Sequence, residues 1–236
     1  MKVVILAGGL GTRISEETEN KPKPMVLIGD KPLLWHLMNI FSIQGFKDFV
    51  LATGYKHEVI DDWVKNFENN ENWNIDPLFT GYDTQTGGRI KKCLEKYPDE
   101  KIIVTYGDGL GNVSIPKLID FHNSHGKLAT VTAVRPPARF GYLHIEDSRV
   151  THFGEKNQSD EGWINGGFFV LEPGVKNWIE GDLDLFETGA LPKLALKNEL
   201  MAFEHTGFWQ PMDTLREKRD LEKLVLLKSP PWLIFL

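Results

Sequence analysis

Apolar positions follow two regimes along this chain. Up to about residue 127, short apolar runs alternate with helix-spaced ones at βαβ intervals. Residues 3–7 form a β-branched run, after which Leu33, Leu34, Leu37, Met38 and Phe41 fall on one face of a helix running from Pro32 toward Gly45. The run 49–53 precedes a helix carrying Val59, Ile60, Trp63, Val64 and Phe67. A helix with Ile90, Cys93, Leu94 and Tyr97 follows, and the run 102–106 ends in Gly107-Asp108-Gly109. From residue 128 the pattern shifts to short runs at 128–134, 142–145, 150–153 and 168–171, with helices near 191–197 and 214–227 and a Ser229-Pro230-Pro231 segment that reads as an exposed tail. The pattern predicts an α/β fold: a doubly wound, mixed, mostly parallel sheet with a smaller β-rich region, and ligands at the carboxyl ends of the strands.

Composition narrows the chemistry. Of 236 residues 41% are hydrophobic, and no apolar run reaches the roughly 20 residues of a membrane span, so no membrane role is expected. The net charge of -6 is the wrong sign for broad nucleic-acid binding, so an anionic ligand has to be held by a local cluster of cations. One cysteine, Cys93, allows no internal disulfide. With no basic-then-apolar leader at the start, it makes the cytoplasm the expected compartment. The seven histidines show no zinc-ligand spacing and receive no role.

The densest local signal is Leu-Ala-Gly-Gly-Leu-Gly-Thr-Arg at residues 6–13. Read as a dinucleotide fingerprint from Gly9, it fails at Ile14, where a small residue is required. No Gly-Lys-Ser/Thr run follows to make a Walker loop. What remains is a strand entering a glycine loop whose amides can approach an anion, with a Thr12 hydroxyl and the Arg13 donor fork beside it; a tight turn needing positive φ is the plainer alternative. Ten residues on, Lys21-Pro22-Lys23-Pro24-Met25 reads as a stiff extended segment projecting two lysines, either a polyphosphate site together with Arg13 or a solvated basic loop.

Residues 6–13 and the Pro-Lys-Pro-Met run at 22–25 resemble the signature of the sugar-1-phosphate nucleotidyltransferases. Within them the chain is most similar to the glucose-1-phosphate cytidylyltransferases, through Thr86-Gly87-Gly88-Arg89, residues 105–109, Arg139-Phe140-Gly141, residues 165–169 and residues 207–214. The likeness covers nearly the whole chain. It implies a Rossmann-like nucleotidyltransferase fold as a single domain over 1–236, with 1–127 mainly the nucleotide half and 128–236 mainly the acceptor half plus C-terminal helices.

The resemblance implies transfer of the cytidylyl group of CTP to a glucose-1-phosphate-like acceptor with release of pyrophosphate. Other bases (GTP, UTP, dTTP), another phosphorylated acceptor and a non-catalytic nucleotide-sugar sensor are the alternatives. It further implies Arg13 and Lys23 as charge stabilisers, Mg2+ on Asp108 and Asp213, and a nucleotide bed of Leu6, Ala7, Gly8, Gly9, Gly11, Thr12, Thr84, Thr86, Gly87 and Arg89. Tyr106, Glu155, Lys156, Asn165, Gly166 and Trp209 fall on the acceptor side. Asp213 could instead cap the helix starting at Thr214, and Thr86 could cap its own helix. Two features depart from the family pattern: the stretch 67–80 is short, and Asn157 stands where proline usually follows the Glu-Lys pair. Homo-oligomers are expected, with the apolar end Trp232, Leu233, Ile234, Phe235 and Leu236 as the contact patch.

Overall fold

The computed structural model describes residues 1–69, 71–136, 141–146, 148–155 and 162–234, with only the backbone course at 141–146 and 152–155. Strand Lys2–Ala7 lies at the centre of an eight-stranded sheet, parallel to Asp48–Thr53 on one side and Ile102–Tyr106 on the other. Both its faces are covered, which is why it reads as an unbroken apolar run. Val3, Ile5 and Ala7 enter one core with helix Leu33–Ser42, whereas Val4 and Leu6 enter a second with helix Thr86–Lys96. Outside Asp48–Thr53 lies the parallel edge strand Asn74–Phe79, whose half-exposed residues and Pro77 suit an edge.

The second half does not form a separate β unit. Phe169–Leu171 runs antiparallel to Ile102–Tyr106, Ala129–Val134 pairs with it, and Leu200–His205 and Ile164–Asn165 pair with Ala129–Val134, so these strands extend the same sheet. The alternation carries on, with Phe168 and Val170 in one core and Phe169 and Leu171 in the other. Hairpin Gly141–Glu146/Arg149–Glu155 and ribbon Gly109–Gly111/Trp209–Pro211 stand apart from it. Among the described residues no helix is long and apolar enough to cross a membrane.

Two expectations are corrected. Pro22–Met25 is not extended throughout: Pro22 is, but Lys23–Met25 closes into a 3-10 turn that buries Lys23 instead of projecting it. The C-terminal segment is no exposed tail either. Pro231–Leu233 forms a 3-10 turn, and Trp232 is fully buried against His36 and Phe208. An indole spent inside its own chain cannot serve as a contact patch; Phe235 and Leu236 lie outside the described residues.

Candidate active site

Strand order reverses direction between Lys2–Ala7 and Ile102–Tyr106, and at such a switch point the carboxyl ends leave a crevice. Here it is a cleft of about 570 Å³, well within the range of small-molecule sites. The loop after Ala7 forms one wall, and Tyr106-Gly107-Asp108 and residues 82–86 contribute others.

The loop glycines divide their work. A Cβ on Gly8 would overlap the Arg89 guanidinium, so the close approach there is made by the protein itself. Gly11 has φ 65 and starts the Thr12–Ile14 turn, a left-handed conformation open to glycine. Gly9 has free space on its Cβ side. The tight-turn reading therefore holds at Gly11, and at Gly8 the small size serves Arg89.

Arg89 is buried across the ends of three strands. Its Nη1 donates to the carbonyls of Thr53 and Gly81 and to Thr80 Oγ1, and Nη2 donates to the Gly8 carbonyl at 3.1 Å. Burial lowers its pKa from the ordinary guanidinium value. It lines the cleft, yet these donors are spent on the protein: it positions the loop. Arg89→Lys is expected to cost about 1–3 kcal/mol, because an ammonium cannot reach all four acceptors and gives up part of this buried hydrogen-bond set. A shift in urea midpoint at constant m measures this; an unchanged midpoint refutes it.

The charged centre is built by register. Trp209–Pro211 pairs antiparallel with Gly109–Gly111, Pro211 opposite Gly109, and the Met212 amide donates to the Asp108 carbonyl at 2.7 Å. Two aspartates a hundred residues apart thus meet at one end of the ribbon. Lys23 Nζ donates to Asp108 Oδ2 at 2.8 Å and to Asp213 Oδ1 at 2.6 Å, and Arg13 Nη1 donates to Asp213 Oδ2 at 2.6 Å. Asp213 is not the helix cap. Thr214 is, accepting from the Glu217 amide while the Glu217 carboxylate accepts from the Thr214 and Asp213 amides, which leaves the Asp213 side chain to Lys23 and Arg13. Among the described residues no group of three or more His, Cys, Asp or Glu assembles for a metal.

Thr86 does not cap its helix with its side chain: its hydroxyl donates to Glu187 Oε2 at 2.6 Å. The other Glu187 oxygen accepts from the Tyr106 hydroxyl at 2.6 Å, which in turn accepts from Asn165 Nδ2 at 2.9 Å. Burial and the Glu187 carboxylate raise the Tyr106 pKa, so the phenol keeps its proton. Glu187 thereby ties the second half of the chain to Thr86 and Tyr106 of the first, and no local motif marks it.

Leu6, Ala7, Gly8, Gly9, Gly11, Thr12, Thr84 and Thr86 line the cleft, as do Tyr55, Tyr82 and Gln85, which the sequence did not single out. Gly87 faces the Asp184 carbonyl, where a Cβ would collide; its small size is a packing requirement. Trp209 donates its indole N–H to the Gly166 carbonyl at 2.9 Å. The Glu155 side chain and Lys156, Asn157, Arg139 and Phe140 lie outside what the structure describes. Cys93 is buried, its thiol pushed up to about 12 chiefly by burial, and takes no part.

Residues 2–214 match the Nucleotidyl transferase family. The chain is 49% identical over 253 residues to the glucose-1-phosphate cytidylyltransferase of Salmonella typhi, covering 98% of both chains. It is 41% identical over 244 residues to a probable glucose-1-phosphate cytidylyltransferase of Bacillus subtilis (strain 168), covering 95% of this chain and 96% of that one. The solved structure of HddC from Yersinia pseudotuberculosis complexed with GMP-PN is similar at a TM-score of 0.73 and 29% identity, covering 94% of this chain and 98% of that one. With a switch-point cleft, a split glycine loop and paired aspartates behind it, this chain belongs to the nucleotidyl transferase family and is an enzyme of that class.

Proposed function

We propose that this chain transfers the cytidylyl group of CTP to a sugar 1-phosphate of the glucose 1-phosphate kind, releasing pyrophosphate. The observation that carries the chemistry is the meeting of Arg13, Lys23, Asp108 and Asp213 beside the glycine loop. The choice of cytosine and of glucose is supported by the relatives at 49% and 41% identity.

In this reading a phosphate oxygen of the acceptor bonds to the α-phosphorus of CTP as the bond to the pyrophosphate oxygen breaks. An acceptor phosphate with a second pKa near about 6 is already mostly dianionic, so no strong base is needed. The chain's work is to align two polyanions and absorb charge. Arg13, paired with Asp213 but with its side chain 70% exposed, can turn its fork onto the departing phosphates, and Lys23 offers a point charge near the α-phosphate. Protonated Tyr106, held by Glu187 and Asn165, orients the acceptor, with Gly166 and Trp209 on the same side and Glu155 and Lys156 assigned to it by the resemblance alone.

Magnesium belongs to the proposal, with Asp108 and Asp213 as its protein ligands. Two carboxylates already gathered by one shared cation are a donor set that suits it, since magnesium takes one or two carboxylates plus substrate oxygens. When bound, it neutralises charge on the phosphate oxygens. A cytoplasmic setting and self-association complete the proposal, the latter through a face other than Trp232.

Pyrophosphate release, measured with each common nucleoside triphosphate against a panel of sugar and non-sugar phosphates, tests base and acceptor separately. CTP with glucose 1-phosphate is expected to give the highest kcat/KM. A higher value with another triphosphate overturns the base, and a higher value with another phosphate overturns the acceptor.

A further inference from the structure

The four charged groups joined at Lys23 and Asp213 sum to zero: Arg13 and Lys23 against Asp108 and Asp213. Lys23 Nζ lies within hydrogen-bond reach of both aspartates, its side chain only 10% exposed, and Arg13 takes the remaining oxygen of Asp213. Both Asp213 oxygens are therefore engaged, and the ammonium lies between the two carboxylates that would hold the ion. The backbone and Cβ of Lys23 are fixed, so only the outer part of its side chain can swing from the carboxylates to another acceptor. Lys23 belongs to a 3-10 turn between Pro22 and Pro24, and Thr18 and the Lys23 Cβ crowd the space over Gly11.

We infer that the Lys23 ammonium is the resident counter-cation of the nucleotide-free pocket, keeping the aspartate pair closed to divalent ions until a triphosphate offers Lys23 and Arg13 other oxygens. The inference rests on the reading above that Asp108 and Asp213 are metal ligands. Its logic is charge exchange. A divalent ion brings the same charge to the carboxylates as the two side chains it displaces, and those side chains then neutralise phosphates at no net cost in charge. Metal and triphosphate consequently favour one another's binding, and linkage makes that coupling reciprocal. If the ammonium occupies the pair in nine of ten molecules, apparent metal affinity falls about tenfold.

The test uses Mn2+ alone as probe on the full chain without nucleotide, with free Mn2+ followed by electron paramagnetic resonance. Lys23→Met and Lys23→Gln are each expected to bind one Mn2+ about tenfold or more tightly than the unaltered chain, and Asp108→Asn added to either is expected to abolish the gain. Melting temperature with and without Mn2+ reports both folding and binding; Lys23→Gln, which keeps a hydrogen-bonding side chain in the buried position, guards against failure of Lys23→Met to fold. Equal affinity in the unaltered chain and both variants, lost with Asp108→Asn, overturns the counter-cation while leaving the metal ligands in place. Tight binding that survives Asp108→Asn overturns the ligand assignment itself.

Discussion

Lys23→Ala lowers kcat by about two to three orders of magnitude, equivalent to about 3–4 kcal/mol of barrier, the range for removing one preorganised donor to developing charge. The lysine is preorganised by its turn and by burial, so its ammonium needs no reorganisation when charge moves onto phosphate oxygens. Folding is expected to change little. The two carboxylates left facing each other are open enough for Asp108, about a third exposed, to recruit a solvent cation. The loss should therefore appear in single-turnover rates with saturating CTP while the melting temperature stays near that of the unaltered chain. Turnover within a few-fold of normal removes Lys23 from the catalytic centre. If Lys23→Met also binds Mn2+ more tightly while turnover falls, metal affinity and catalysis separate at one residue.

The parts of this site legible in the sequence were those written locally. An unbroken apolar run, a glycine loop and a basic Pro-Lys-Pro segment each carry their meaning within a dozen residues, and the structure places them at one cleft. What the sequence hid is long-range. Gly8 looked like a residue kept small for a ligand, but it is crowded by Arg89, 81 positions away. Glu187 sits in an undistinguished Phe-Glu-Thr stretch and acquires its place from Thr86 and Tyr106, 101 and 81 positions distant. Asp213 read as a cap for a helix starting at Thr214, and only the Glu217 amide donating to Thr214 Oγ1 shows that Thr214 is itself the cap. Edge strand Asn74–Phe79 escaped notice because half-exposed positions and a proline erase the apolar signature. The doubly wound architecture was legible because alternate residues of one strand feed two cores, whereas the continuity of the sheet into the second half depends on pairings that no periodicity encodes.

Trp232→Ala is expected to destabilise the chain by about 3–5 kcal/mol, the usual cost of emptying a buried aromatic site. The indole is fully buried, edge-on to His36 at 5.7 Å and tilted against Phe208 at 6.0 Å. Just beyond it, the Ile234 carbonyl accepts from Asn112 Nδ2 at 2.7 Å. Phe208 and Asn112 flank the ribbon that sets Asp213 beside Asp108, the Asn112 amide donating to the Phe208 carbonyl at 3.0 Å. The C-terminal segment thus clamps the back of the element whose front holds the carboxylates. A cavity there should loosen the register as well as the core, so kcat should fall in protein that is still folded. Urea unfolding at constant m gives the stability loss, and activity measured well below the transition gives the effect on the site. A destabilisation under about 1 kcal/mol would mean that the surrounding side chains collapse into the space and that the clamp is dispensable. Full stability loss with unchanged kcat would keep Trp232 as a core residue but detach it from the aspartate pair.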